Sequence, residues 1–135
     1  MNDQVQNQRE MTDEEYTPFA VEITVSDFDQ SLSFYRDKLG FTVARFHRDP
    51  QYMFAALFFN GSLLMIKQDD RVPKPKNPIM QIRFMLPSVE ELNRYYEKLQ
   101  KSGIQIYKTL DKQYYGLHRF SVKDPDGYEI KFVAR

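Results

Sequence analysis

The sequence predicts an α+β fold made of two copies of one unit, each a strand, a helix and three further strands. Three spacings predict the repeat. The helix-capping residues Asp27 and Ser88 lie 61 positions apart, and the helix-closing glycines Gly40 and Gly103 lie 63 apart. The turn glycines Gly61 and Gly127 lie 66 apart. A slowly drifting offset is what loop insertions leave in a diverged tandem repeat.

Each element has its own warrant. In the first copy, Phe19, Val21, Ile23 and Val25 alternate with Ala20, Glu22 and Thr24, the pattern of a half-buried strand. Asp27 with Gln30 forms a capping box. Phe28, Leu32, Tyr35 and Leu39 then fall on one helical stripe, which Gly40 closes. Three strands follow in FTVARF, QYMFAALFF and SLLMIK, the last two joined by Asn60-Gly61. DDRVPKPKNP, residues 69–78, carries three prolines and reads as a linker. In the second copy IMQIRFML is a strand, and Ser88 with Glu91 is a second capping box. Val89, Leu92, Tyr96 and Leu99 make the helical stripe. IQIYKTL, GLHRFSV and YEIKFVA complete the unit, with Asp124-Pro125-Asp126-Gly127 as the last turn. The expected organisation is a polar tail over 1–17 and one domain over 18–135, with module one at 18–68 and module two at 79–135.

Composition narrows the function. The chain has 135 residues, formal net charge zero and no cysteine. Balanced charge gives no reason to expect nucleic acid or an anionic membrane as partner. Without cysteine there is no disulfide, thiolate nucleophile or zinc–thiolate site. No apolar run reaches the roughly 20 residues of a spanning helix, and the polar start is unlike a signal peptide. A soluble cytoplasmic protein is expected. Eleven Phe and nine Tyr supply a core and leave rings over for a cavity wall.

VSDFDQSLSFYRDKLGF and YGLHRFSVKDPDGYEIKF resemble the helix and C-terminal signatures of the vicinal oxygen chelate superfamily. That superfamily holds glyoxalase I, the extradiol dioxygenases and the bleomycin resistance proteins. The resemblance runs from Phe19 to the end. It implies tandem βαβββ modules, with a curved mixed sheet around a cavity. Its bleomycin-resistance-like branch implies a homodimer that binds a small organic molecule.

The resemblance also implies where a metal would sit. Metal-dependent members place ligands in the first and last strands of each half, and here those positions hold Ala20, Met65, Gln81 and Lys131. Only Gln81 suits an oxygen-preferring ion. No cofactor is therefore expected, and the expected activity is sequestration without catalysis. The alternative is a metal-dependent lyase, isomerase or dioxygenase of the same superfamily.

The cavity candidates are Glu22, Tyr52, Phe54, Gln81, Arg83, Tyr115, His118 and Lys131. Glu22 and Arg83 occupy matching positions before their caps, so they either pair or meet a polar ligand. Tyr52, Phe54, Tyr107, Tyr114 and Tyr115 suit a flat organic ligand or, equally, a buried interface. His118 is a pocket candidate, and His47 reads as a surface residue. Glu129 shares the strand parity of Lys131 and reads as a rim or solvated residue.

Overall fold

A computed structural model describes Thr17 and residues 19–135, so the expected tail lies almost wholly outside the described residues. The chain divides into two compact units, up to Lys76 and from Asn77. Each holds one four-stranded mixed sheet with a helix on one face.

In the first unit the elements are β1 (Val21–Thr24), α1 (Phe28–Ser33), β2 (Thr42–Arg48), β3 (Tyr52–Phe59) and β4 (Ser62–Asp69). The sheet order is β1-β4-β3-β2, with β1 parallel to β4 and the other pairs antiparallel. The Asp27 carboxylate accepts from the Gln30 amide at 3.1 Å, which satisfies one orphan donor of the first turn. The single helix expected up to Leu39 instead changes form: Phe34–Lys38 is a π-helical turn. There the Leu39 amide donates to the Phe34 carbonyl, five residues back, at 3.0 Å. Phe28, Leu32, Phe34, Tyr35 and Leu39 are all buried. Asn60 and Gly61 have φ of 47° and 78°. Positive φ at both positions is the type I′ requirement, so Asn-Gly sets the β3–β4 register.

In the second unit the elements are β5 (Gln81–Met85), α2 (Val89–Lys101), β6 (Lys108–Lys112), β7 (His118–Lys123) and β8 (Glu129–Ala134). The order β5-β8-β7-β6 repeats the first sheet strand for strand. Helix α2 begins where the Glu91 amide donates to the Ser88 hydroxyl at 3.1 Å. It sets Tyr95 edge-on to Phe132 and Tyr96 edge-on to Phe120, with ring centroids 4.9 Å apart in both pairs. Phe120, Val122, Ile130 and Phe132 are fully buried on that face. Each such ring or branched chain contributes about 1.5–3 kcal/mol by leaving water.

One strand moved. IQIYKTL was expected as a strand from Ile104, but β6 starts at Lys108. The chain leaving α2 first spends the Ile104 amide on the Leu99 carbonyl, at 3.1 Å, to close the helix. Cross-strand bonding begins only with the Tyr107 amide on the Ser121 carbonyl, at 2.8 Å. A bulge between Lys108 and Asp111 then shifts the register against β7.

Candidate functional site

Alternation gives each sheet a helix-side face and an open face. In the second unit Ile82, Phe84, Phe120, Val122, Ile130 and Phe132 take the helix side. The opposite parity therefore holds Gln81, Arg83, Lys108, Asp111, Arg119, Ser121, Lys123, Glu129 and Lys131, with Met85 and Val133 at one end. That is a polar face built across four strands.

Its hub is Glu129, only 7% exposed. One carboxylate oxygen accepts from the Ser121 hydroxyl at 2.8 Å and lies 3.3 Å from the Lys108 ammonium. The other accepts from the Gln81 amide at 3.1 Å. The Gln81 carbonyl in turn accepts from the Lys131 ammonium at 3.2 Å. Burial pushes the Glu129 pKa up, but the Ser121 and Lys108 donors with the nearby Lys131 charge outweigh it, and the carboxyl sits below its ordinary value. Glu129 is thus held ionised by donors on three other strands. At the turn behind it, the Asp124 carboxylate accepts from the Asp126 and Tyr128 amides at 3.0 and 2.9 Å. That turn fixes where β8 begins. Beyond it lies a hollow of about 290 Å³ lined by Gln105, Ile106, Tyr107 and Lys123. The Lys123 ammonium stands 4.3 Å from the Tyr107 ring centre.

The first unit's open face is apolar by contrast. Ala44, Ala56 and Leu63 form a buried cluster, with Ala20, Phe54, Phe58 and Met65 packed against it. Charge is confined to its margin. Glu22 pairs with Lys67 at 3.5 Å, and the Arg45 guanidinium stands over the Phe54 ring at 5.9 Å. His47 contacts the Asp49 carboxylate at 2.7 Å, which holds the Asp49 carboxyl below its usual range.

The sequence candidates therefore divide. Gln81, Arg83 and Lys131 come together on the second unit's open face. Phe54 belongs to the first unit's apolar cluster, Tyr52 starts the same strand, and Glu22 is engaged by Lys67. Tyr115 lies in the β6–β7 turn, 55% exposed, with its ring edge-on to Tyr114. His118 has the parity of Phe120 and Val122, so β7 puts it on the helix-side face, away from Lys131. Glu129 differs from its expected rim or solvated setting, because four strands close around its carboxylate. Ser121 and Lys108 were not singled out. Ser121 carried a signal, its parity within SVKDPDG; Lys108 carried none, because the bulge breaks the alternation that would have placed it.

The positions where the family's ion binders hold ligands do not fit a divalent cation. In the first unit Ala20 and Met65 belong to the apolar cluster and offer one thioether between them. In the second, Gln81 already bonds Glu129 and Lys131, and Lys131 brings a positive charge. Among the described residues no three His, Asp or Glu side chains gather as metal ligands would.

Comparison with protein families matches residues 18–132 to the Glyoxalase/Bleomycin resistance protein/Dioxygenase superfamily. The chain belongs to this superfamily. Solved structures agree on the fold. A glyoxalase/bleomycin resistance protein/dioxygenase from Alicyclobacillus acidocaldarius is 24% identical, with 89% of this chain and 92% of that one covered and a TM-score of 0.69. TioX from Micromonospora sp. ML1 is 16% identical, with 88% and 98% covered and a TM-score of 0.72. A glyoxylase/bleomycin resistance protein/dioxygenase domain from Frankia sp. EAN1pec is 18% identical, with 88% and 91% covered and a TM-score of 0.71. At these identities the likeness concerns the fold alone. Comparison with curated proteins returned no match. No helix among the described residues is long and apolar enough to cross a membrane.

Proposed function

We propose that this superfamily member is a metal-free binding protein that sequesters a small organic molecule and does no chemistry on it. The observation that carries this reading is the Lys131 ammonium bonded to Gln81 at 3.2 Å. It puts a fixed positive charge at the strand position from which metal-dependent relatives present an anionic or neutral ligand. A cation there opposes a second cation. The sequestering mechanism is differential affinity. On the second unit's open face Gln81, Arg83 and Lys131 orient the polar groups of the bound molecule.

The test is a thermal-shift screen of the full chain against neutral, cationic and anionic aromatic compounds, with and without a chelator. The expected result is a concentration-dependent rise in Tm with at least one compound, unaffected by chelation. Stabilisation that requires a divalent ion, or turnover of the bound compound, would reverse the proposal. Homodimerisation is part of the same reading. Ile79, Met80 and Met85, at the start and on the open face of edge strand β5, are exposed, and covering them would remove apolar surface from water. Sedimentation of the purified protein as a monomer at micromolar concentration would remove that part.

A further inference from the structure

Within the binding reading just given, we infer that the ligand is an anion, a carboxylate or phosphate ester, held between Arg83 on β5 and Lys131 on β8. Lys108, Ser121, Lys131 and Arg83 pair in sequence across β6, β7, β8 and β5, all on the open face. Arg83 and Lys131 are direct cross-strand partners. Neighbouring strands lie about 4.8 Å apart, so the two cationic side chains leave the sheet side by side. Directly opposed like charges destabilise a sheet. Such a pair needs a compensating anion or it costs stability.

The protein's own carboxylates supply it only in part, through Glu129 near Lys131. Glu129 is the nearest on the face, and its oxygens are taken by Ser121, Lys108 and Gln81. Asp111 lies across from Arg119, at the far end. The open face thus carries five cations, Arg83, Lys108, Arg119, Lys123 and Lys131, against the carboxylates of Glu129 and Asp111. The whole chain has zero net charge, so this excess is segregated rather than general. The cations are not equivalent. Lys108 is spent on Glu129, Lys123 lies over the Tyr107 ring, and Arg119 faces the Gln113 side chain. Lys131 has only the neutral Gln81 carbonyl as acceptor. Arg83 is exposed, and no hydrogen bond or ion pair engages it among the described residues. Its planar fork matches a carboxylate or phosphate with two parallel bonds, and Lys131 adds a point charge beside it.

The test is an NMR titration of the full chain with benzoate, phenyl phosphate and neutral benzamide. Saturable shifts at β5 and β8 are expected with the anions, with benzamide weaker by about tenfold or more, one charged hydrogen bond's worth. The tighter of benzoate and phenyl phosphate names the headgroup. Arg83→Gln and Lys131→Gln should each weaken the anions about tenfold and leave benzamide unchanged. Arg83→Gln should also leave Tm unchanged or raise it, because it relieves repulsion; an arginine serving stability would lower Tm. Benzamide binding as tightly as benzoate, or anion shifts that avoid β5 and β8, would overturn the charge assignment. Either result would leave the binding-protein reading standing, since that rests on stabilisation by any compound. A Tm loss in Arg83→Gln with unchanged anion affinity would also overturn the charge assignment.

Discussion

The two units share strand order, helix caps and turn glycines, yet their open faces have diverged completely. One presents Ala20, Ala44, Phe54, Ala56, Phe58, Leu63 and Met65. The other presents a carboxylate hub ringed by lysine, serine and glutamine. The helix-side faces kept one character: Leu64 and Ile66 beneath α1, Ile130 and Phe132 beneath α2, all buried. The comparison separates two demands on a repeat. The helix side must be apolar in each unit, because it is the core that lets the unit fold. The open face carries no such demand, and its residues are free to differ between the copies.

Substitutions that break the shared side should have the largest effects. Phe132→Ala removes a fully buried ring in contact with Tyr95, Phe84 and Phe120, and should cost about 3–5 kcal/mol in urea denaturation. A loss under about 1 kcal/mol would mean that this face is not the core of its unit.

The polar hub comes next. Glu129→Gln removes the acceptor charge beneath Ser121 and Lys108 and should cost about 1–3 kcal/mol. It also has a pH signature. The folded Glu129 carboxyl titrates below its ordinary value of 4.5. A lowered carboxylate pKa adds stability that is fully present above the unfolded value and is lost as pH falls through the folded one. Wild-type stability should therefore decline below about pH 4.5 more steeply than that of Glu129→Gln. Parallel acid profiles for the two proteins would show that the carboxylate is not held ionised by its neighbours.

On the apolar open face, Phe54→Ala should cost less than Phe132→Ala, about 1–2 kcal/mol, because Phe54 is only half-buried. An equal loss would make both faces of the first sheet equally part of its core. The smallest effect should be Glu22→Gln. It breaks an exposed pair with Lys67, and exposed pairs contribute about 1 kcal/mol or less.

Much of the fold was legible because it rests on local rules. The two caps, Asn60-Gly61 and the Asp124 turn each act within a few residues, and alternation separated Glu129 and Lys131 from Ile130 and Phe132. The site was legible only in part. Parity put Gln81, Arg83 and Lys131 on one face. It could not show that Ser121 and Lys108 reach the same carboxylate, since that depends on pairing across β6, β7 and β8 and on a bulge. His118 shows a related limit: a candidate chosen by residue type still takes the parity of Phe120, on the face opposite Lys131. The π-helical turn at Phe34 also escaped, because a spacing of apolar residues that buries well as an α-helix buries equally well with one turn widened.

The measurement that tests the central claim most directly is calorimetric titration of the metal-stripped protein with Zn²⁺, Ni²⁺ and Mn²⁺, repeated on Lys131→Gln. With Lys131 occupying the cation position beside Gln81, no stoichiometric heat should appear in the wild type with any of the three ions. One equivalent bound at micromolar affinity or tighter, and weakened by Gln81→Ala, would contradict the account.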